Sequence, residues 1–197
     1  LSRNLLNYNG LAQNVDVLAV APYFHGCWSR NSHPECADTG MNPMMISEAN
    51  SVDDLFEILE DPGNRYGVAS KIAEMATQAG VASEFDVDLY AYEGGQHLTV
   101  HWGDADVSSD RKNNLLDLFR TANRDPRMAD LYSEFLDGWK ENGGQLFTLY
   151  TMPQTYHTFG SFGIKEHMAQ PRDDAPKYDG SMQFQEEQLQ CWWADCE

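Results

Sequence analysis

One glutamate in this chain stands where catalytic carboxylates often stand in α/β proteins. Residues 86–92 alternate aliphatic side chains with polar and aromatic ones, a pattern that favours a half-buried strand. Glu93 follows, and Gly94 and Gly95 then allow the chain to turn sharply. Ligands bind at the carboxyl ends of parallel strands. Glu93 is therefore a candidate catalytic carboxylate, or else it caps a backbone or pairs with an arginine.

Imidazoles and aromatic rings follow the ends of the predicted strands. Tyr23 and His25 come after the apolar run 15–22, and His97 and Trp102 lie shortly after Glu93. Imidazole nitrogens can bind sugar hydroxyls, and aromatic rings can stack on sugar faces. We therefore predict a carbohydrate-binding cleft. Its predicted lining residues are Tyr23, His25, Tyr92, His97, Trp102, Tyr150, Tyr156 and His157.

The four cysteines fall into two close pairs, Cys27 with Cys36 and Cys191 with Cys196. Even, local pairing is typical of two short disulfides formed in an oxidising compartment. Two other interpretations stay open for the first pair. The thiols can be free, or they can form a zinc site with two nearby histidines, although the spacing matches no familiar zinc finger.

The composition is that of a globular chain with a large excess of acid. The 197 residues are 42% apolar and 12% aromatic, enough for one domain with a core. The formal net charge of −18 repels phosphate backbones and argues against nucleic-acid binding, whereas a neutral polysaccharide is not repelled. No apolar run reaches the ~18 residues of a membrane span. Together with the paired cysteines, this favours a secreted or extracellular protein.

Helices and strands alternate along the chain. Continuous apolar residues over 15–22 predict a strand buried on both faces, and 145–151 predicts a third strand after 86–92. Caps and apolar stripes predict helices over 51–59, 66–79, 113–122, 125–141 and 177–185. Such alternation predicts an α/β fold of parallel strands joined by right-handed crossover helices. We expect one domain over 1–185 and a tail over 186–197.

Four segments resemble the last three βα units of large secreted bacterial proteins that have a glycosidase-like (β/α)8 barrel. Proteins of this kind are often described only as cellulose-binding or hypothetical. The run Tyr-Glu-Gly-Gly-Gln-His is the most specific part, and the resemblance extends over residues 16–184. The matching segments are 16–24, 92–97, 122–128 and 175–179.

More distantly, the layout is similar to retaining glycoside hydrolases whose nucleophile ends the seventh strand of the barrel. The resemblance implies that Glu93 is the nucleophile and that Tyr23 ends strand six. The acid/base glutamate of that clan ends strand four, which this chain lacks, and retaining hydrolysis needs two carboxyl groups about 5–5.5 Å apart. We therefore expect the missing part of the barrel on other residues or on a second chain, since three parallel strands alone leave two unpaired edges.

Two functional hypotheses follow, and both take carbohydrate as the partner. In the first, the protein is a glycoside hydrolase of the retaining type. In the second, it is a non-catalytic carbohydrate-binding or structural protein on the same scaffold. A metal site at His97 and His101 is a further alternative. We expect no cofactor, since no glycine-rich phosphate loop precedes a helix, and the lack of a Gly-x-Ser-x-Gly motif argues against a serine nucleophile.

Overall fold

Helices are the main element of the structure, a computed structural model that describes residues 1–37 and 44–187. The α-helices are α1 Ser2–Asn7, α2 Pro34–Ala37, α3 Val52–Glu60, α4 Val68–Glu84, α5 Ser109–Ala122, α6 Arg127–Glu141 and α7 Pro176–Glu187. Single turns of 3-10 type occur at Ile46–Glu48 and Arg172–Asp174, and a kinked 3-10 segment spans Tyr8–Asn14. Within the described ranges, no helix has the length and apolarity needed to cross a membrane.

The strands are short and pair in parallel, which agrees with the predicted α/β class. They are β1 Val17–Val20, β2 Tyr23–Phe24, β3 Asp88–Ala91 and β4 Gly95–Gln96. β1 pairs with β3, and β2 pairs with β4. The predicted third strand is reduced to one parallel bridge, between Ala91 and Phe147. The described residues thus form two small sheets and an adjoining extended segment, and they do not close a barrel.

Glu93 lies at a break between two paired segments. The chain bends at Tyr92 and Glu93, after β3, and pairing resumes when β4 begins at Gly95. A Cβ atom at Gly94 would lie 2.6 Å from the carbonyl oxygen of Pro22, so the backbone can approach the neighbouring strand only with glycine here. The two glycines therefore interrupt the strand and leave the Glu93 side chain beside β2.

The helices pack on one face of the parallel strands. Leu18 and Leu89 lie opposite each other in the register and are 7% and 3% exposed. On the same face, the Phe147 ring packs edge-on against Phe135 and Trp139 of α6, with ring centroids 5.6 and 5.2 Å away. α6 in turn packs on α4 and α7. The core therefore lies between these strands and a single layer of helices.

The opposite face of the strands is not covered by the described residues. We call it the open face. Leu146 is 55% exposed and Tyr150 is 40% exposed, and the intervening Thr148 is exposed as well. The open face consists of Ala19, Tyr90, Leu146, Thr148 and Tyr150.

Candidate functional site

Glu93 and Tyr23 lie side by side where β3 ends and β2 begins. Burial raises the pKa of the Tyr23 hydroxyl well above its ordinary value, and the charge and hydrogen bond of the Glu93 carboxylate raise it further. Tyr23 is therefore neutral at pH 7, and its hydroxyl donates to the carboxylate. This hydrogen bond orients the Glu93 carboxylate. Because Glu93 is only half-buried, the carboxylate still reaches solvent.

Three further rings surround this pair. His97 contacts Tyr23 edge-on, with 5.4 Å between the ring centroids. Phe162 lies 5.4 Å from His97 and 5.5 Å from Tyr150, again by ring centroids. The structure thus brings together four predicted site residues and adds Phe162. We call these five residues the mouth.

Two buried polar side chains hold the loop that carries Phe162. Gln96 is fully buried in β4, and its amide nitrogen donates to the carbonyl oxygen of Ser161 over 2.8 Å. The ammonium group of Lys177 in α7 donates to the same oxygen. Burial lowers the pKa of Lys177 well below its ordinary value. These two donors fix the backbone immediately before Phe162.

Four imidazoles form a continuous row that starts in the mouth. The ring centroids are 5.9 Å apart from His97 to His25, 6.4 Å from His25 to His33, and 5.5 Å from His33 to His101. Burial lowers the pKa of His25 to about 4, and it also lowers the pKa of His97 and of His101. We call these four residues the imidazole row. His25, His97 and His101 are neutral at pH 7.

A tyrosine anchors the middle of the imidazole row. The Tyr66 ring stacks on His25 with 4.5 Å between centroids and 13° between planes. Its hydroxyl donates to the Glu35 carboxylate over 2.6 Å, and the Lys71 ammonium lies 4.9 Å from the ring centroid. These contacts place one carboxylate, that of Glu35, beside the middle of the row.

A tryptophan anchors the far end of the row. Trp28 is 1% exposed and stacks on His101, with ring centroids 4.9 Å apart. Its indole nitrogen donates to Asp104 over 2.8 Å. Hydrogen bonds to its carboxylate lower the pKa of Asp104 to about 2, and the largest effect comes from the backbone N–H of Asp106. The loop after β2 is therefore tied to the loop after β4.

The predicted disulfide between Cys27 and Cys36 is confirmed, and it fixes the segment that carries His33. Both cysteines are fully buried. The free-thiol and zinc interpretations are therefore wrong for this pair, because neither sulfur is available as a thiolate. In the described ranges, no three ligating side chains converge as a metal site would need. The second predicted pair, Cys191 with Cys196, lies outside the described residues.

The other predicted site residues lie around the mouth or apart from it. Tyr92 is 59% exposed, and Trp102 is 38% exposed, with its indole nitrogen donating to the carbonyl oxygen of Thr158 over 3.3 Å. His157 is exposed, with its ring 6.0 Å from Phe159. Trp102 and His157 therefore belong to one rim beyond the imidazole row, formed where two loops meet.

Tyr156 differs from the prediction, because its side chain is only 9% exposed. Arg124 and Lys177 lie 4.9 and 4.6 Å from its ring centroid, and its hydroxyl donates to the carbonyl oxygen of Asn123 over 3.3 Å. In this structure Tyr156 offers no ring face on which a sugar can stack. It packs as a buried support beneath the loop of Phe162.

Sequence reasoning missed several residues of the site. Their contacts join segments that are far apart in the chain, and no spacing rule predicts such contacts. The one available signal was the density of aromatic residues over 156–162. The missed residues are Trp28, Tyr66 and Phe162, whereas His33 and His101 were considered only as metal ligands.

Comparisons with protein-family models, with characterised proteins and with solved structures found no match to this chain. The resemblance to glycoside hydrolases with a (β/α)8 barrel therefore stays a prediction.

Proposed function

We propose that the mouth binds carbohydrate and that Glu93 is the nucleophile of a glycoside hydrolase-like protein. The observation that carries this proposal is the half-buried Glu93 carboxylate, oriented by the neutral Tyr23 hydroxyl. Tyr150 and Phe162 give ring faces for a sugar, and His97 gives a polar edge. A carboxylate held among rings in this way suits attack on an anomeric carbon.

Hydrolysis by this route has two steps. The Glu93 carboxylate forms a bond to the anomeric carbon while the glycosidic oxygen leaves with a proton from a second carboxylic acid. Water then cleaves the glycosyl ester, and the second carboxyl group takes its proton. The second carboxyl group has to come from another part of the protein, as the resemblance implies. The hydrogen bond from Tyr23 keeps the Glu93 carboxylate in one orientation between turnovers.

The arrangement of strands supports a larger barrel around this site. The strands are parallel and follow one another in chain order, and α6 packs on one face of them beside α4 and α7. Right-handed crossovers in this order place helices on one side, as in a barrel wall. The open face would then be the interior of the barrel. Among the described residues β1 pairs on one edge only, and a cleft of about 380 Å³ between Val20, Ala21 and α4 would receive a neighbouring unit.

A non-catalytic carbohydrate-binding protein is the second candidate function. In the described part of the chain, the carboxylate that hydrogen-bonds the Tyr23 hydroxyl is that of Glu93. A lone carboxylate can accept hydrogen bonds from sugar hydroxyls but does not complete a hydrolytic pair. For either function, the Cys27–Cys36 disulfide supports a secreted or extracellular location.

The substitution Glu93→Gln tests both candidates. It keeps the size of the side chain and removes its charge, so a nucleophilic role predicts a loss of turnover of at least about 10³-fold. Oligosaccharide affinity should change much less, since the mouth keeps its rings. Reducing-sugar release from neutral polysaccharides measures turnover, and calorimetry with the matching oligosaccharides measures affinity.

Glu57→Gln is the matched control, because Glu57 is exposed on α3. Unchanged turnover in Glu93→Gln would remove Glu93 from the chemistry. Binding without turnover in the wild-type protein would favour the non-catalytic candidate. Absence of both binding and turnover would overturn the carbohydrate proposal.

A further inference from the structure

The backbone decides which nitrogen carries the proton in two neighbouring imidazoles. The Nδ1 atom of His25 lies 2.8 Å from the carbonyl oxygen of Gly26, which can only accept, so this Nδ1 carries a proton and donates. The Nδ1 atom of His33 lies 3.1 Å from the backbone nitrogen of Trp28, which donates, so this Nδ1 carries a lone pair. In the neutral rings, Nε2 of His25 is therefore an acceptor and Nε2 of His33 a donor.

These two Nε2 atoms are open to a ligand. Among the described residues, neither of them has a hydrogen-bond partner, whereas the Nδ1 atoms of both rings are engaged. In the described ranges, the solvent-inaccessible side-chain atoms that lack a hydrogen-bond partner are Nε of Arg120 and Oδ1 of Asn123. The Nε2 atoms of His25 and His33 are not among them, so both reach solvent. His25 and His33 thus present one free acceptor and one free donor at the surface of the imidazole row.

The two rings are neighbours in the imidazole row. Their centroids are 6.4 Å apart and their planes are inclined by 50°. Each Nε2 atom would bond an oxygen at an N···O distance of about 2.9 Å. A hydroxyl both donates and accepts, whereas a carboxylate only accepts and an ammonium group only donates. The pair therefore matches a hydroxyl group.

We infer that His25 and His33 form a hydroxyl-binding subsite that selects uncharged glycans. This inference rests on the proposed carbohydrate function and names its substrate class. His97 separates the pair from Tyr23, so the hydroxyl lies away from the reacting carbon. The net charge of −18 disfavours uronate and sulfate groups, and locally the carboxylates of Glu93 and Glu35 offset the Lys71 ammonium that acts on His25. The substrate class is a neutral polyhydroxylated glycan.

The first test needs no glycan. Long-range ¹H–¹⁵N correlation spectra of the purified protein at pH 7 report which nitrogen of each histidine carries the proton. We expect the proton on Nδ1 of His25 and on Nε2 of His33, with the exposed His167 as an internal reference. A proton on Nε2 of His25, or on Nδ1 of His33, would overturn the inference, because the pair would no longer match a hydroxyl.

The second test measures binding of cellohexaose, xylohexaose, mannohexaose and hexagalacturonate by calorimetry. We expect a neutral hexasaccharide to bind, and His25→Phe and His33→Phe to weaken it about tenfold each, while His167→Phe does not. Phenylalanine keeps the ring contacts and removes the nitrogens. If a variant fails to fold, the spectra of the wild-type protein decide the matter.

The possible results distinguish failure of the subsite from failure of the proposed function. Glycan binding that both histidine variants retain within twofold would overturn the subsite and leave the proposed function standing. A preference for hexagalacturonate would also overturn the subsite, because the charge argument would fail. Absence of binding by every hexasaccharide would overturn the subsite together with the carbohydrate function.

Discussion

His25 is a residue of the site whose ionisation is coupled to folding between pH 4 and 6.5. Its pKa is 6.5 in the unfolded chain and about 4 in the folded protein. Burial is the main cause of this decrease, and the nearby His97, Lys71 and His33 add to it. Between pH 4 and 6.5 the unfolded chain binds more protons, so the free energy of unfolding falls as the pH is lowered through this window. The loss at pH 4 attributable to His25 is roughly 3 kcal/mol.

The substitution His25→Phe isolates this contribution. Phenylalanine keeps the stacking on Tyr66 and removes the titrating group, so the variant should lose less stability than the wild-type protein on acidification. Urea unfolding at pH 7 and at pH 4.5 measures the difference, and His167→Phe is the control. Equal losses in the wild-type protein and in His25→Phe would show that His25 is not held neutral by folding.

At the scale of single residues, the sequence predicts contacts between residues at the ends of paired strands. It does not predict the contacts that loop residues make. Tyr23 and Glu93 could be expected together because each follows a parallel strand, and the register indeed places Tyr23 opposite Gly95. His33 reaches His25 through the path of the long loop after β2, and Tyr66 reaches it from the connection between α3 and α4. That path depends on packing among distant segments, which residue spacing does not encode.

At the scale of elements, the disulfide loop is the part that most directly positions the imidazole row. Replacing Cys27 and Cys36 by alanine removes a cross-link with a sequence separation of 9, which should lower the free energy of unfolding by roughly 2–3 kcal/mol. Because the loop carries His33, neutral-oligosaccharide affinity should fall as well. Chemical unfolding and calorimetry measure the two effects.

The same double substitution at Cys191 and Cys196 is the matched control. An equal loss of affinity in the control would show that the effect is not specific to the Cys27–Cys36 loop. Unchanged stability and affinity after loss of the Cys27–Cys36 bond would mean that packing alone holds His33 in place.

Two elements show where local sequence rules were overruled by packing. The helix predicted over 66–79 runs on to Glu84 as α4, past the exposed Gly80, because Val81 and Ala82 are buried in the next turn. That burial outweighs the ~1 kcal/mol that glycine costs inside a helix. The predicted third strand keeps one bridge only. A strand predicted from its apolar residues still needs a neighbouring strand on each edge to extend its pairing. The described residues supply a neighbour on one edge only.

At the scale of the whole molecule, the open face is the feature that most needs a partner. Parallel sheets are normally buried on both faces, and here one face keeps Leu146 more than half exposed. If further barrel units cover this face in the native protein, Leu146→Asp places a charge in an apolar interior. Burying an unpaired carboxylate is costly, so the melting temperature of the native protein should fall by more than about 5 °C.

Met168→Asp is the control for this experiment, because Met168 is 65% exposed on a loop outside the open face. It introduces the same charge and should leave the melting temperature nearly unchanged. Differential scanning calorimetry of the native protein compares the two variants with the wild type. Equal, small shifts would mean that Leu146 faces solvent in the native protein. The parallel strands would then stand with one bare face, and the mouth would have to work without a surrounding barrel.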